Sequence, residues 1–485
     1  MRSRLATLAI SIAAAVVVAA CATPEPTRPE VTVPGGWRAP AKTGGDLADR
    51  PWGKVFEAKE LEALITEALA NNADLRIAAD RVELARAQFG IQRSFLYPAV
   101  GVSGTATRQR TPVASGADNA VTESASLGLA VPTWEIDLWG RVRSATEAAR
   151  RQLLASEDTR RALYTSVVAQ VAAGYLELLS LDAQIVTARR TAAARREALR
   201  LIDLRYRGGV ASRLELNDQI SLVAGADRVI AGLERQRTLT ENALSALVGR
   251  NPGSIERERQ LSELALPVEL PAGMPSVLLV RRFDILAAEE TLYGAEANVD
   301  AARKAFFPTI TLTGIVGFAS PALRDLFDSG RYAWSASPSI GLPIFNAGRL
   351  TSDLEGAQAQ QRIAVEQYKR TIRNAFREVE DALSSYQRLT EERAALTDAV
   401  KANRERLRLS ELRYRSGVAA YFEVLDSSRQ LFDSELALIQ VTAGQYQSVI
   451  QLYQALGGGY DLASAAPELP ATPYSAPAPG AVWWF

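Results

Sequence analysis

The segment LRYRGGVAS occupies Leu204–Ser212, and LRYRSGVAA occupies Leu412–Ala420, 208 positions later (412 − 204). The match continues without a gap to Gly249 in the first copy and Gly457 in the second. Self-similarity at a fixed offset is the sequence signature of a repeated architecture. This stretch therefore predicts that the chain contains one structural unit twice.

The duplication extends toward the N-terminus as well. Tyr97-Pro98 corresponds to Phe307-Pro308 at a nearly equal offset. Together the matching blocks predict a first repeat over residues 51–265 and a second repeat over 272–460.

Each repeat shows the same order of predicted elements: a helix, two strands, a very long helix, a glycine turn and a shorter helix. A helix of 66 residues, such as 141–206, is a rod of about 100 Å. Such a rod has no globular core to cover its apolar side, so it must pack along neighbouring helices. The predicted helices are Ala58–Phe95, Arg141–Tyr206, Ser212–Leu247, Val277–Phe306, Arg349–Tyr414 and Ala420–Leu456.

The strand segments alternate apolar residues with small polar ones, as in 124–131, 309–313 and 332–344. About ten residues is the length that a tilted transmembrane strand needs. Two strands in each repeat give four in each chain, and four strands cannot close a barrel. Because lipid does not tolerate open sheet edges, the chain must oligomerise, with about eight strands from a dimer or about twelve from a trimer. A soluble β-sandwich is the alternative for the same strands.

The N-terminus predicts export and lipid attachment. Arg2 and Arg4 precede an apolar run that ends at Ala20, which is typical of a signal peptide over 1–20. The only cysteine, Cys21, follows at once and indicates a lipobox, in which this cysteine is cleaved free and acylated. An ordinary signal peptide with a chance cysteine is the alternative. Residues 21–50 then read as a Pro- and Gly-rich tether, and the Ala- and Pro-rich tail 463–485 as disordered.

Composition argues against several classes of function. The chain contains no histidine, which is the usual general base and the commonest metal ligand, and its one thiol is assigned to lipid. Lys plus Arg and Asp plus Glu number 55 each and are interspersed, so no nucleic-acid surface is predicted. We therefore predict that the protein is not an enzyme and holds no cofactor or metal beyond the covalent lipid on Cys21.

Several motifs are specific for one family. They are WEIDLWGR at 134–141, LPIFNAGR at 342–349, and the pattern Tyr206…Gly209…Leu214-Glu215 with its copy in the second repeat. Over about residues 50–460 the sequence resembles the TolC-like outer membrane factors, in particular the lipid-anchored NodT and OprM type. It departs at Phe283, where family members commonly have proline, which affects only the start of one helix.

The resemblance implies an α+β membrane protein that is internally duplicated. Three chains would form a twelve-stranded transmembrane β-barrel, four strands from each protomer, and a long α-helical periplasmic barrel. The homotrimer would be a passive exit duct in the outer membrane, lipid-anchored and extending into the periplasm. It would receive small molecules from an inner-membrane resistance-nodulation-division pump through a periplasmic adaptor protein. A duct for type I protein secretion and a lipid-tethered coiled-coil spacer without a pore are the alternatives.

The glycine turns are candidates for two roles. Gly209 and Gly417 suit the positive φ that a tight helix reversal needs, and this structural role alone explains them. The resemblance further implies that the turns dock the hairpins of the adaptor. The predicted adaptor-binding residues are Arg207, Gly209, Val210, Arg415, Gly417 and Val418.

A gate is the second candidate site. Glu423 and Asp426 lie one helical turn apart, and the resemblance implies that three copies of each ring the lumen at its narrowest point. It also implies that Tyr414 and Glu215 latch neighbouring hairpins, with Asp218 one turn further on. Ala419 stands where some relatives have a basic latch residue. A solvated helix surface is the alternative for these carboxylates.

Overall fold

The structure of the protein is a computed structural model that describes residues 28–38, 47–49, 58–111, 120–264 and 270–458. The predicted signal peptide, the lipidation site Cys21 and the predicted tail 463–485 lie outside the described residues. The chain divides into two compact units. Among the described residues, the first comprises those within 28–31, 79–159 and 284–371, and the second comprises those within 32–78, 160–283 and 372–458.

Helices and strands follow the same order twice in the described parts of the chain. Two opening helices precede two strands, a very long helix and a shorter helix, and the series then repeats. The elements are α1 (Lys59–Asn71), α2 (Ala73–Ser94), β1 (Gly101–Thr111), β2 (Ala120–Glu135), α3 (Arg141–Arg207), α4 (Arg213–Val248), α5 (Leu278–Arg281), α6 (Phe283–Lys304), β3 (Thr309–Ser320), β4 (Tyr332–Gly341), α7 (Arg349–Arg415) and α8 (Tyr421–Ala455).

The opening helix of each repeat is interrupted, where the sequence predicts one continuous helix. In the first repeat the break lies at Asn72, whose ψ of 128° is not helical. Its Oδ1 accepts a hydrogen bond from the N–H of Leu75 (3.0 Å), which caps α2, and its Nδ2 donates to the carbonyl of Leu247 (2.8 Å). In the second repeat Arg282 is extended between α5 and α6. The apolar periodicity continues across both breaks, so it does not reveal them.

The four strands of the first unit form one antiparallel sheet in the order β1-β2-β3-β4. The β2–β3 pairing joins the two repeats, and Gly128 and Gly317 lie opposite each other in it. A Cβ on Gly317 would lie 2.3 Å from the carbonyl oxygen of Leu127, so this close approach requires glycine. The strand predicted over 332–344 ends earlier, at Gly341, which pairs with Thr309, the first residue of its partner β3.

The register separates two faces of the sheet. Leu127, Phe318 and Tyr332 lie side by side on one face, and Ser126 lies on the other. A register shift between Val131 and Trp134 marks a bulge in β2. The extra residue keeps Trp134 on the apolar face, opposite Leu312 of β3. One face is therefore apolar with aromatic residues, and the other is lined mainly by serine, threonine, glycine and alanine.

The core of the second unit lies among the helices. Fully buried residues of α3, such as Tyr175 and Leu176, belong to one apolar cluster with residues of α4, α7 and α8. α3 also contains a stretch apolar enough to cross a membrane, but more than half of this stretch is buried within the protein, as in a core helix. A smaller cluster of Ile202, Leu222, Tyr421 and Leu425 joins the hairpin of α3 and α4 to the hairpin of α7 and α8.

Candidate gate and docking surface

Each helical hairpin reverses through a glycine with positive φ, which is 74° at Gly209 and 75° at Gly417. In the first turn the N–H of Val210 donates to the carbonyl of Arg205 (2.8 Å), and the N–H of Gly209 donates to that of Tyr206 (3.0 Å). The second turn has the same two bonds. This is the Schellman motif, in which a left-handed glycine satisfies the last carbonyls of a helix. Both reversals therefore favour glycine.

The two hairpins differ in how the returning helix begins. Ser212 Oγ accepts a hydrogen bond from the N–H of Glu215 (3.1 Å), and Glu215 Oε2 accepts one from the N–H of Ser212 (2.8 Å). This capping box gives Glu215, a predicted latch residue, a structural role at the start of α4. Ala420 stands at the corresponding position of the second hairpin and provides no side-chain cap. Asp218 is half-buried and makes no hydrogen bond or ion pair with another described residue.

The two predicted gate carboxylates each pair with an arginine of α7. Glu423 Oε2 lies 3.3 Å from Arg413 Nε, and Asp426 Oδ2 lies 2.7 Å from Arg406 Nη2. Asp426 also accepts a hydrogen bond from Gln430 Nε2 (3.0 Å). All four charged side chains are at least 36% exposed, so each pair stabilises the fold by at most about 1 kcal/mol. The carboxylates are thus oriented by arginines that the sequence reasoning missed, and they remain accessible to water.

Tyr414, the other predicted latch residue, lies between the two hairpins. Its ring centroid is 4.9 Å from that of Tyr421, and the guanidinium of Arg205 lies 4.9 Å from the centre of the Tyr414 ring. Its phenol oxygen is buried beside the Arg205 guanidinium, without a well-aligned hydrogen bond. Burial raises the pKa of Tyr414, and the nearby negative charge of Glu215 raises it further. The charge of Glu215 therefore acts on Tyr414 within one chain.

A buried polar network links the two hairpins just beyond Tyr414. The hydroxyl of Tyr421 donates to Gln219 Oε1 (2.7 Å), and Gln219 Nε2 donates to the carbonyl of Arg195 (2.7 Å). Gln219 is only 2% exposed, so both bonds are shielded from water. Burial raises the pKa of Tyr421 to about 12, which keeps its proton available for donation.

The side chain of Arg195 extends the same network. Its Nη1 donates to the carbonyl of Leu222 in α4 (3.1 Å), and its Nη2 donates to that of Ser428 in α8 (3.3 Å). The guanidinium also lies 5.0 Å from the centre of the Phe432 ring. Arg195 is 6% exposed, and burial lowers its pKa. Sequence reasoning missed this network, because nothing in the repeat pattern distinguishes Arg195 or Gln219 from surface residues.

The six predicted adaptor-binding residues are all exposed in the described chain. Arg207 lies 2.9 Å from Asp203, and Arg415 lies 3.7 Å from Glu411, the equivalent residue of the second repeat. Val210 and Val418 are each 71% exposed at the turns. Leu214 and Phe422, which are also equivalent in the two repeats, are exposed one turn further along. Each turn therefore presents an apolar centre with arginines around it.

Comparison with known proteins gives a family match over most of the chain. The family described as outer membrane efflux protein matches residues 64–250 and 274–458. The toluene efflux pump outer membrane protein TtgC of Pseudomonas putida is 37% identical over 462 residues, which cover 93% of this chain and 95% of the relative. Outer membrane protein OprJ of Pseudomonas aeruginosa is 37% identical over 461 residues, covering 92% and 95%.

A solved structure agrees with the sequence comparison. The outer membrane channel MtrE of Neisseria gonorrhoeae, in its open state, superposes with a TM-score of 0.82 at 33% identity. The superposition covers 90% of this chain and 98% of MtrE.

Proposed function

Because this chain belongs to the outer membrane efflux protein family, we propose that it works as the passive, gated exit duct of a tripartite pump. The resemblance to TolC-like outer membrane factors is confirmed, and so is the fold class that it implies. The protein is an efflux channel of the outer membrane that extends into the periplasm. The β-sandwich and the spacer without a pore are thereby set aside.

In our proposal three chains close the barrel. The four-stranded sheet has β1 and β4 as its edges, and an open edge in lipid would leave backbone N–H and C=O groups without partners. Joining β4 of each chain to β1 of the next removes all edges and gives about twelve strands. The face of serines and threonines would then line a water-filled lumen, and the apolar face would contact lipid.

The gate that we propose consists of Glu423 and Asp426. Their exposure and their pairing with Arg413 and Arg406 suit charged groups at the wall of an aqueous passage. Three copies of each carboxylate around one constriction would favour cations and repel one another when the passage narrows. Opening would separate these charges.

The latch between protomers is proposed from the buried hydroxyl of Tyr414. In the single chain this hydroxyl is shielded from water beside Arg205, so the contact between Tyr414 and Arg205 would have to open before a polar group of the neighbouring protomer could bind it. Such a hydrogen bond would stabilise the closed trimer by about 0.5–1.5 kcal/mol. Glu215 would then act mainly through its charge, because its carboxylate is engaged in the capping box.

The partners and cargo are proposed from the turns and from the relatives. The apolar centres at Val210 and Val418, with their arginines, suit hairpins of a periplasmic adaptor that carry apolar and acidic residues. The pump would be a resistance-nodulation-division transporter. Because a relative is named for toluene efflux, we propose small, largely apolar molecules as cargo in preference to secreted proteins. The duct would have no catalytic activity and no cofactor, and it would be anchored by lipid on Cys21.

Channel recording tests this function. The full-length protein is purified from outer membranes, its trimeric state is verified by native mass spectrometry, and it is added to a planar lipid bilayer. Discrete current steps proportional to voltage support the duct. Verified trimers that insert into the bilayer without any current steps would contradict it.

A further inference from the structure

Two arginines lie on the apolar face of the sheet. In β1, Arg108 and Arg110 lie on the same face as Val102. Their partners in β2 are Glu123 and Val121. Thr107 and Gln109, which lie on the other face of β1 at this level, are polar and uncharged. The apolar face of an outer-membrane barrel contacts lipid, so these two guanidinium groups point toward the membrane.

The arginines lie at the outer end of the strands. β2 runs from Ala120 to Glu135, and α3 begins shortly afterwards at Arg141, so the helices follow the opposite end of the sheet. β4 and α7 show the same connection. Because the helices of this family extend into the periplasm, the end that carries Arg108 and Arg110 faces the cell exterior.

The height of the arginines follows from the register. Trp134 lies on the same face near the helical end, and Glu123, opposite Arg108, is eleven positions away along β2. Because one of the residues between them is bulged, the separation amounts to about ten strand steps, or about 33 Å along the strand. At the usual strand tilt this corresponds to roughly 25 Å along the membrane normal. The apolar band of an outer-membrane barrel is also about 25 Å tall. Arg108 and Arg110 therefore lie at its outer boundary, where lipid head groups begin.

Charge pairing leaves this site positive. Arg108 Nε lies 3.0 Å from Glu123, with 76% of the Arg108 side chain exposed. Arg110 is exposed opposite the apolar Val121 and has no ion pair with another residue in the part of the chain that the structure describes. A cation at the edge of the apolar band is costly unless an anion compensates it. A guanidinium recognises a phosphate through paired hydrogen bonds.

From this placement we propose that Arg108 and Arg110 bind the phosphate group of a lipid in the outer leaflet. The acyl chains of the lipid would pack on the apolar residues below, such as Val102 and Leu129, which are both exposed in the single chain. The inference depends on the outer-membrane location of the protein and is independent of the proposed gate.

Native mass spectrometry of the detergent-purified full-length protein tests this site. The probes are diphosphorylated lipid A and the same lipid with its phosphates removed. We expect the phosphorylated lipid to bind more tightly, and we expect R108Q/R110Q to weaken this binding by about fivefold for each arginine removed. R324Q is the matched control, because Arg324 is 87% exposed at the same end but lies outside the strands. It should bind like the wild type.

The same spectra report whether each variant still assembles. If the double variant does not assemble, R110Q alone provides the test, since the Arg110 side chain forms no ion pair with a described residue. Equal affinity of wild type and variants, or equal affinity for the two lipids, would overturn the proposal. Inorganic phosphate should not displace the lipid, and displacement would indicate a site for a free anion instead.

Discussion

The hydroxyl group of Tyr421 in α8 donates a 2.7 Å hydrogen bond to the side-chain oxygen of Gln219 in α4, and this bond joins the two helical hairpins of one chain. Gln219 in turn donates to the backbone of α3 at Arg195. Three helices therefore depend on one buried amide at the end of the hairpins. Any movement that opens the duct by separating the hairpins has to break this connection.

Replacing Tyr421 with phenylalanine should destabilise the protein by about 1–3 kcal/mol, because the oxygen of Gln219 would stay buried without a donor. The free energy of unfolding can be measured from urea denaturation followed by far-UV circular dichroism in detergent. Tyr332→Phe is the control, because it removes the same hydroxyl group from a side chain that is 65% exposed on the sheet. Equal effects of the two substitutions would contradict the role of the Tyr421–Gln219 bond.

Arg195→Met should be more damaging than the same change at the neighbouring residue Arg196. Arg195 donates to carbonyl groups of two helices, and hydrogen bonds from a charged group are worth about 1.5–3 kcal/mol. Arg196 is 55% exposed and pairs with Asp227, so Arg196→Met should cost at most about 1 kcal/mol. The same denaturation experiment compares them. A smaller loss for Arg195→Met than for Arg196→Met would show that Arg195 does not hold the hairpins together.

Stability should fall as the pH rises from about 10 to about 12. Burial raises the pKa of both Tyr175 and Tyr421 to about 12 in the folded protein, whereas an unfolded tyrosine has a pKa of about 10. Below pH 10 both states keep the proton and the contribution is complete. Above it the unfolded state loses the proton first, so the contribution is lost progressively. Thermal denaturation across this range should show a shallower decline for Tyr175→Phe, and an unchanged slope would argue against the raised pKa.

Gly317→Ala should prevent normal pairing of β2 with β3, because the added Cβ would lie 2.3 Å from the carbonyl oxygen of Leu127. Within the described sheet, β2 and β3 are the only strands that join the two repeats, so their separation would break that connection. The yield of folded protein in the outer membrane, judged by resistance to SDS at room temperature, should drop strongly. Gly101→Ala meets no atom within 4 Å and should leave the yield unchanged. Normal yield of Gly317→Ala would mean that the strands can shift apart at little cost.

Sequence patterns were sufficient to predict the helices, the strands and the helix-reversing turns. The repeat at Leu204 and Leu412, the strand alternation and the absence of proline from the long helices are properties of local sequence, so they predict local structure. The contacts between hairpins were not predictable in this way. Arg195 and Gln219 acquire their roles only when the two hairpins pack together, and Arg406 acquires its role only when α7 and α8 pack within one hairpin. The capping box of Ser212 and Glu215 was available as a short motif, and it assigns Glu215 a structural role before any latch.

The ends of elements were predicted less well for a physical reason. Hydrophobic periodicity continues through Asn72, although its side chain caps a new helix there. Alternation likewise continues through Leu342 and Ile344, although β4 ends at Gly341, because its partner β3 begins at Thr309 and provides no further ladder. In both cases hydrogen bonding ends the element, and periodicity does not report hydrogen bonding.

Single-channel recording of E423A/D426A beside the wild type tests the gated duct most directly. Asp398→Ala is the control, because Asp398 is an exposed carboxylate of α7 that pairs with Lys401 at 3.3 Å, away from the proposed gate. Removing both gate carboxylates also leaves Arg413 and Arg406 without these anionic partners. We predict a larger conductance and a reversal potential that shifts toward anion preference in E423A/D426A, with Asp398→Ala unchanged. Conductance and selectivity identical to the wild type would contradict the gate, and no current from verified trimers would contradict the duct itself.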